Sequence, residues 1–519
     1  MAETGVLTAH DLAKRQREIS VAEFFTKNRH LLGFDNPKRA LLSAVKEAVD
    51  NSLDACEEAR ILPTVEVAVR QLAEDRFVIK VRDNGPGILK SQVPRIFGKL
   101  LYGSKFHRLR MARGQQGIGI SAAGMYGQLT TAKPTTVISR CSASKPAYKC
   151  QLFIDSRTNE PKVVAEEEIQ WDIERGTEVE IELLARYQKG RQSVDEYLYE
   201  TFLANPHLTL RYQPPEGEPV SYERITEKLP AQPKEIRPHP YGVELGALLE
   251  IAERTKARNV KTFLMTEFCR VSERVATELL QKAGLPDTLR PSRLKRPEGE
   301  KLIEAIAQTK IMAPPSDCIV PIGEQYLQST LESLVKADFY TAVTRSPSVY
   351  RGNPFLVEAA LAYGGELPLD EPARVLRFAN RVPLLYQQSA CAITRSIATT
   401  VWKSYGVQQP GGSLPVGPLL IAVHIASVWV PFTSESKEAI AHYDEIIKEM
   451  KLALQECGRR LGRHIRKGRR EAEAQRKRSY IEKYIPHIGI ALRELLDLSE
   501  EQERRVCTRL GELLERSRS

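Results

Sequence analysis

The stretch VRDNGPGI, residues 81–88, closes an apolar run, FVIKVR (77–82), with an aspartate, an asparagine and two glycines. Asn-Gly and Pro-Gly pairs are strong turn signals, so a simple turn at a strand end is one interpretation. A second interpretation gives Asp83 a role, because side chains at the carboxyl ends of strands often face ligands. The carboxylate would accept a hydrogen bond from an exocyclic amine such as that of adenine. Gly85 and Gly87 would leave room for a flat ring against the backbone.

A second polar pattern lies upstream in EAVDNSLDA (47–55), where the apolar residues recur at helical spacing. Glu47, Asn51 and Asp54 stand at positions that share one face of a helix. The simplest interpretation is a solvated polar face. The chemical alternative is that the amide oxygen of Asn51 binds Mg²⁺, while Glu47, one turn away, orients or deprotonates a water molecule.

A third pattern is the glycine-rich run GQQGIGIS (114–121), which leads into the helical sequence AAGMYGQL. Backbone amides and the dipole at a helix start form an anion site, and glycines allow phosphate oxygens to approach closely. The spacing matches neither of the common phosphate-binding glycine motifs, so the run alone is weak evidence. The preceding LLYGSKFHRLRMARG (100–114) is loop-like, and we expect it to close as a lid with Ser104 and Lys105 as phosphate contacts.

Proline-rich and basic segments divide the chain into four predicted parts. Helices and strands mix at first, helical spacing follows, and a second mixed region leads into one long basic helix over 436–484 and a helical tail. We therefore predict an α+β multidomain fold with these boundaries: 1–235, 236–314, 315–480 and 481–519. The apolar run LLIAVHIASVWVPF (419–432) is too short to span a bilayer and is predicted to be a buried strand.

The bulk composition is that of a globular protein, with 42% hydrophobic and 27% charged residues among 519. The net charge of +10 suits a polyanionic partner, although over this length it is only suggestive. The eight cysteines form no CxxC pair and no Cys/His metal spacing, so we expect reduced thiols in an intracellular protein. The first twenty residues are polar and lack the apolar region of a signal peptide.

Longer stretches carry a resemblance to a known family, namely EAVDNSLDACEEARILP, DNGPGI, LLYGSKFHRLRMARGQQGIGISAAGMYGQLTT and FANRVPLLYQ. They resemble the B subunits of topoisomerase VI, a family of type IIB DNA topoisomerases within the Bergerat-fold ATPase superfamily. The resemblance covers most of the chain. It implies a Bergerat-fold α/β sandwich ATPase domain with an N-terminal strap (1–235) and a helix-two-turns-helix domain (236–314). It further implies an α/β transducer domain that ends in the long basic helix (315–480) and a C-terminal helical element (481–519).

Carried over residue by residue, the resemblance implies a site for ATP and Mg²⁺. Glu47 is the implied general base and Asn51 the implied metal ligand, while Asp83 contacts adenine with support from Thr177. Lys437, in VPFTSESKEAIA, is the implied catalytic contact to the γ-phosphate; from the residues alone it is an ordinary solvated lysine. The implied phosphate contacts are Ser104, Lys105, Gly114, Gln115, Gln116, Gly117, Ile118, Gly119, Ile120 and Ser121.

The resemblance also implies partners and an activity. ATP-dependent self-dimerisation, with exchange of a strap over about residues 1–20, would gate the passage of double-stranded DNA through a break made by a separate A subunit. The implied assembly is an A₂B₂ heterotetramer that relaxes and decatenates DNA, located in the cytoplasm at a prokaryotic nucleoid and without membrane contact. The tail at 481–519 is the expected docking site for the A subunit. The basic stretch 459–478 is either a solvated helix face or a contact to DNA phosphates.

Three other classes of protein share parts of these patterns. Sensor kinases carry a related ATPase domain near the C-terminus behind a phospho-acceptor helix, whereas here the motifs lead the chain. Mismatch-repair and chaperone ATPases share the pocket but not the YGSKFH lid or the helical insert. A non-enzymatic meiotic scaffold derived from the topoisomerase family would not need the intact Glu47, Asn51 and Asp83.

Overall fold

The structure, a computed structural model, describes residues 9–14, 16–104, 108–114, 117–434 and 436–516. The predicted strap therefore lies partly outside the described residues. The helices of the first part are α1 (Ala9–Ala13), α2 (Val21–Lys27), α3 (Pro37–Glu58), α4 (Val93–Gly98), α5 (Gly119–Thr131) and α6 (Val194–Ala204). Its strands are β1 (Thr64–Ala73), β2 (Arg76–Asp83), β3 (Thr135–Arg140), β4 (Ala147–Asp155), β5 (Glu160–Ile169), β6 (Gly176–Leu184), β7 (Thr209–Gln213) and β8 (Val220–Tyr222).

Within the described residues these strands form one sheet in the order β5-β4-β3-β6-β2-β1-β7-β8. Among the described strands of this sheet, β1 and β7 pair in parallel, and the other neighbours pair antiparallel. In β1, Val65, Val67 and Val69 are buried while the residues between them are partly exposed, the alternation of a strand with one face on a core. Burial of each such valine side chain contributes about 1.5–3 kcal/mol to the stability of the folded state. Helices α3, α5 and α6 pack on this face, and the result is a two-layer sandwich.

Local sequence explains why α3 and β2 form where they do. The side chain of Asn36 accepts a hydrogen bond from the amide of Lys38 at 2.9 Å, and Pro37 occupies the first helical position, as the sequence predicts. The predicted strand FVIKVR is confirmed as part of β2, which lies between β1 and β6 and ends at Asp83. Asp83 therefore lies at the carboxyl end of a central strand, next to α3.

The second part has its own hydrophobic core, built from the apolar stripes of its helices. Their bounds are α7 (Leu245–Arg254), α8 (Val260–Glu267), α9 (Glu273–Ala283) and α10 (Arg296–Gln308). The amphipathic pattern of these helices is that of short helices packed on one another. The boundaries predicted near 235 and 314 lie in the connections before α7 and after α10.

The third part is a second mixed region. Its helices are α11 (Glu324–Leu334), α12 (Ala392–Ala398), α13 (Asp444–Leu496) and α14 (Glu500–Arg516). Its strands are β9 (Phe339–Thr344), β10 (Ser348–Tyr350), β11 (Asn353–Tyr363), β12 (Arg374–Ala379), β13 (Val382–Pro383) and β14 (Leu419–Ser427). The sheet order is β10-β11-β14-β12-β13, with β9 also paired to β11.

The central strand β14 comes from the apolar run predicted to be a buried strand, and every one of its residues is buried. It lies between β11 and β12, so both of its edges are hydrogen-bonded and both of its faces are covered. The strand ends at Ser427, two residues before the exposed Trp429. In the described part of the chain, every helix is too short or too polar to cross a bilayer.

The long basic helix differs from the prediction at both ends. It begins at Asp444 rather than Ser436, because the preceding residues form a closed loop in which the amide of Thr433 bonds the carbonyl of Ala439 at 2.9 Å. It continues through Pro486 to Leu496, so the boundary predicted at residue 480 lies inside a helix. A proline removes one helical hydrogen bond and usually ends a helix. Here α14 folds back and packs on this segment, which supports the helix beyond the proline.

Candidate functional site

A cavity of about 570 Å³ lies where α3, the end of β2 and the start of α5 meet two segments of the third part. Those two segments are residues 383–386 and 436–438. The predicted site residues that line the cavity are Glu47, Asn51, Asp83, Ser104, Gly114, Gly117, Ile118, Gly119, Ile120, Thr177 and Lys437. Three further predicted residues, Lys105, Gln115 and Gln116, lie outside the described residues. Segments that are far apart in the sequence thus share one cavity.

Ser121 is the predicted residue whose side chain lies elsewhere. Its hydroxyl donates to the carbonyl oxygens of Ile96 at 3.0 Å and Lys99 at 3.1 Å, so it ties α5 to the end of α4. The side chain is buried and is not part of the cavity wall. The predicted phosphate contact of Ser121 is therefore limited to its backbone amide, which lies in the first turn of α5, where helix amides favour an anion.

Helix α3 presents two of its three predicted polar residues to the cavity. Glu47 and Asn51 line the wall, and Asn51 is exposed there. Asp54 instead is buried and accepts a hydrogen bond from Nη1 of Arg113 at 2.9 Å. The interpretation of all three as one solvated polar face is therefore wrong for Asp54, whose carboxylate pairs with a buried arginine.

The carboxylate of Glu47 lies directly against the start of α5. A Cβ atom at Gly119 would stand 1.7 Å from Oε2 of Glu47, so a side chain at that position would displace the carboxylate. On its other side, Oε1 of Glu47 is 3.5 Å from Nζ of Lys46, which also pairs with Asp50 at 3.2 Å. Burial would lower the pKa of Lys46, but Asp50 and Glu47 outweigh it and hold the pKa above its usual value. Lys46 is not among the predicted site residues, although its spacing to Asp50 is that of a helical ion pair.

Asp83 is fixed by three donors at the floor of the cavity. Its carboxylate accepts hydrogen bonds from the hydroxyl of Ser52 at 2.8 Å and from the amides of Gly85 at 2.9 Å and Thr177 at 3.2 Å. Burial raises the pKa of Asp83, and these three donors act in the opposite direction. The resemblance predicts that Thr177 supports the adenine side of the site. In the structure its backbone amide donates a hydrogen bond that orients the carboxylate of Asp83.

The fold itself requires glycines beside Asp83. Gly87 has a φ of +72°, and a Cβ there would lie 2.2 Å from the carbonyl oxygen of Arg140 in β3. At Gly85 a Cβ would lie 2.9 Å from Oδ1 of Asp83. Gly87 lines the cavity, and the expectation that these two glycines make room for a flat ring stays a prediction.

Lys437 reaches the cavity from the loop between β14 and α13. Its Nζ donates to the carbonyl oxygen of Arg113 at 3.5 Å, immediately before the glycine run. Burial lowers the pKa of Lys437, while the nearby carboxylate of Glu47 acts in the opposite direction. The residue has a left-handed φ of +54°, which is uncommon for a lysine. Its position contradicts the ordinary expectation of a solvated lysine at a helix start.

Two family models match this chain. The description "Histidine kinase-, DNA gyrase B-, and HSP90-like ATPase" matches residues 36–186, and "Topoisomerase VI B subunit, transducer" matches residues 314–477. The chain is 48% identical over 490 residues to the B subunit of type 2 DNA topoisomerase 6 from Methanococcoides burtonii, covering 94% of this chain and 79% of that one. It is 47% identical to that of Archaeoglobus fulgidus, covering 96% and 83% of the two chains. For that of Pyrococcus horikoshii the identity is 38%, with 97% and 96% covered.

The chain belongs to the family of type 2 DNA topoisomerase 6 B subunits. The predicted family is thus confirmed, as are the α+β multidomain fold with a Bergerat-type ATPase and its class as an ATP-hydrolysing topoisomerase subunit. The cavity lies between the two matched regions, since Glu47, Asn51 and Asp83 fall in the ATPase match and Lys437 falls in the transducer match.

A buried polar network joins the ATPase and transducer regions of this topoisomerase family member. Arg113 is its centre: its guanidinium contacts Asp54 at 2.9 Å, Glu57 at 2.6 Å and the amide oxygen of Asn205 at 2.5 Å. Burial would raise the pKa of Glu57, but Arg113 and His207 hold it well below its usual value. Nothing in the local sequence around Arg113 indicates these partners, because they come from distant segments.

The network continues into the transducer sheet at a turn after β12. The side chain of Asn380 donates to the carbonyl of Ala112 at 3.0 Å, and the amide of Arg381 donates to Nε2 of His424 at 3.0 Å. Nδ1 of His424 in turn lies 2.8 Å from Oε2 of Glu358. The segment that leads into the glycine run is therefore hydrogen-bonded to the core of the transducer sheet.

Proposed function

We propose that the cavity binds ATP with Mg²⁺ and hydrolyses it, and that the state of the nucleotide is transmitted to the transducer through Lys437. The observation that carries this proposal is the convergence of Glu47, Asn51, Asp83, the glycine run and Lys437 on one cavity. A carboxylate acceptor, an amide oxygen, helix-start amides and a cation are the groups that adenine, a metal and phosphates need.

The residues present fit both ligands. Asp83 offers an oriented acceptor for the adenine amine, and the first turn of α5 offers amides for phosphate oxygens. Among the described residues, no three His, Cys, Asp or Glu side chains cluster as they would around a metal held by protein alone. Mg²⁺ commonly binds through one or two protein oxygens together with substrate phosphates, which suits the exposed Asn51. Bound there, it would supply charge compensation for phosphoryl transfer.

The chemistry then falls to two residues of the chain. Glu47 accepts the proton of the water that attacks the γ-phosphate, and Gly119 lets its carboxylate stand at the start of the phosphate-binding helix. Lys437 stabilises the negative charge of the transferring phosphoryl group. Ser104, Lys105 and the run from Gly114 to Ser121 are proposed to hold the phosphates, chiefly through backbone amides. Because Lys437 lies in the transducer match, release of phosphate would alter the contact between the two regions.

The proposed partners follow from family membership. We propose an A subunit that cleaves DNA, an A₂B₂ assembly and dimerisation of this chain on binding ATP. Helix α14 and the end of α13 carry exposed apolar side chains that would dock the A subunit, among them Tyr480, Tyr484, Leu495, Leu496 and Leu513. These residues form part of the predicted element 481–519 and of the helix that leads into it.

The basic stretch 459–478 divides into engaged and exposed residues. Arg459 and Arg460 both pair with Glu456, and Arg460 also donates to the carbonyl of Ala342 at 2.7 Å. We define the basic face as four exposed residues that lie together on the next turns, Arg463, Arg466, Lys467 and Arg470, of which Lys467 lies 3.9 Å from Glu471. We propose that this face contacts DNA phosphates; a solvated helix face is the alternative.

The decisive variant for the proposed function is Glu47→Gln. We expect ATP hydrolysis to fall by about 10²–10⁴-fold, because the amide cannot accept the proton of the attacking water. Calorimetry with a non-hydrolysable ATP analogue should show retained binding, because Glu47 makes no proposed contact with the base or ribose. The matched control is Glu250→Gln on an exposed face of α7, which should keep wild-type turnover.

Retained hydrolysis by Glu47→Gln would rule out the assigned base, and absence of nucleotide binding by the wild type would rule out the site. The activity as a whole is tested by relaxation of supercoiled plasmid by this chain together with a candidate A subunit. Relaxation should require both chains and ATP. Relaxation without ATP would contradict the proposed gate.

A further inference from the structure

The loop that carries Lys437 is fastened to the helix that carries Glu47. Nη2 of Arg39, in the first turns of α3, forms an ion pair with Oε1 of Glu438, the residue after Lys437. The side chain of Glu438 is only 7% exposed and that of Arg39 21% exposed, so water screens this pair little. A largely buried ion pair of this kind holds its two side chains in a more fixed orientation than an ion pair on an open surface does.

Arg39 also contacts a second segment of the transducer. Its guanidinium lies 5.1 Å from the centre of the Tyr386 ring, a cation–π contact. Leu385 and Tyr386 pack against the hydrophobic core of the first part. One side chain of α3 is therefore in contact with both transducer segments that line the cavity, the one ending at Tyr386 and the one containing Lys437.

The shape of the loop makes the position of Lys437 sensitive to this anchor. The loop is closed by the backbone bridge between Phe432 and Ile440, and the amide of Lys437 donates to the carbonyl of Ser434 at 3.1 Å. Lys437 itself is in the left-handed conformation, which surrounding contacts must maintain. Since Glu438 is the next residue, its ion pair fixes the direction in which the side chain of Lys437 points away from the backbone.

We propose that Arg39 is a positioning residue for ATP hydrolysis that acts through Glu438 to hold Lys437 at the terminal phosphate. Glu47 lies about two turns and Asn51 about three turns further along the same helix. The ion pair thus sets the distance between the base and the cation, which belong to different regions of the chain. This inference rests on the proposed function of the cavity.

The test compares the turnover and the nucleotide affinity of variants of the full chain. Arg39→Met and Glu438→Gln should each lower kcat by about tenfold or more, since small misplacements of a catalytic group carry such costs. The Kd of a non-hydrolysable ATP analogue should change by less than about threefold, because the acceptor for the base and the helix amides are untouched. Arg39 also pairs with Asp35 at 3.3 Å, so the informative rescue keeps the positive charge: Arg39→Lys should recover more kcat than Arg39→Met.

The matched control is the ion pair between Arg345 and Glu449, which join at 3.1 Å within the transducer region and away from the cavity. Arg345→Met should keep kcat within about twofold of the wild type. Unchanged kcat in both Arg39→Met and Glu438→Gln would overturn the inference, as would an equal loss in affinity or an Arg39→Lys variant that recovers nothing. If Arg39→Met fails to fold, Glu438→Gln, which keeps the shape of the side chain, decides the question.

The outcome for this inference is separable from that for the proposed function. If the wild type hydrolyses ATP and Glu47→Gln does not, while the Arg39 and Glu438 variants retain kcat, only the positioning role is refuted. If Glu47→Gln hydrolyses ATP as fast as the wild type while the Arg39 and Glu438 variants lose kcat, the assigned base is refuted and the positioning role stands.

Discussion

Replacing Arg113 with methionine is expected to destabilise the chain strongly. The guanidinium is 4% exposed and neutralises the carboxylates of Asp54 and Glu57, which are 8% and 20% exposed. Removing one partner of a buried ion pair costs about 3–5 kcal/mol, because the remaining charge stays buried. We expect the lower end, about 3 kcal/mol, since Glu57 keeps its contact with His207.

A thermal melt followed by circular dichroism measures this loss. For a cooperative unit of about 150–250 residues, 1 kcal/mol corresponds to roughly 2–4 °C, so we expect Tm to fall by about 6–12 °C. The matched control is Arg211→Met, which breaks the exposed pair between Arg211 and Glu66 at 3.1 Å. That control should lower the stability by less than about 0.5 kcal/mol.

The pH dependence separates a lost ion pair from a packing defect. In the wild type the pKa of Glu57 lies well below its usual 4.5, so its contribution to stability is present above that pH and is lost as the pH falls through the folded pKa. Without Arg113, burial raises the pKa of Glu57, so the charged form becomes unfavourable at neutral pH. The deficit of Arg113→Met should therefore be largest near pH 7 and shrink toward about pH 4–5. A Tm close to that of Arg211→Met, or a deficit that grows at acid pH, would refute this reasoning.

Three further outcomes are expected. Gly119→Ala should lower steady-state ATP hydrolysis by at least about tenfold, because a Cβ 1.7 Å from Oε2 of Glu47 displaces the base; normal turnover would contradict the contact. Burial would raise the pKa of Glu358, but its hydrogen-bond partners hold it below 4.5, so its stabilisation is present above that pH and is lost in acid. Between about pH 7 and 3 the melting temperature of Glu358→Gln should therefore fall less steeply than that of the wild type, and parallel curves would count against this. Neutralising the basic face should flatten the salt dependence of DNA-stimulated ATPase by about 0.9 per lost phosphate contact, whereas an unchanged slope would favour a solvated face.

The parts of the site on regular elements could be predicted from local pattern. The apolar run before Asp83 predicts a strand that ends there, and helical spacing with a capping asparagine predicts α3 and hence the shared face of Glu47 and Asn51. The glycine run predicts a helix start, which the structure places at Gly119. Strand ends, helix starts and shared helix faces can be predicted from a short stretch of sequence, because they depend on backbone geometry and side-chain periodicity within that stretch.

The parts that depend on tertiary contacts could not be predicted in this way. Only the family resemblance points to Lys437, and the pattern around it favours a helix that the closed loop replaces. The roles of Arg39 and Arg113 could not be predicted, because Glu438 and Asn205, with which they interact, lie in distant segments that meet only in the folded chain. The predicted end of the long helix near residue 484 is wrong because α14 packs on the segment beyond it, and the helix continues through Pro486 to Leu496.

In the proposed function, one cavity holds the base, the metal and the phosphates of a single ATP between two regions of the chain. An experimental density map of the full chain with Mg²⁺ and a non-hydrolysable ATP analogue tests it most directly. We predict the adenine amine at Asp83, the metal at Oδ1 of Asn51 and the terminal phosphate within hydrogen-bond distance of Lys437. A nucleotide bound elsewhere, or bound in this cavity with Lys437 turned away from the phosphate, would contradict the account.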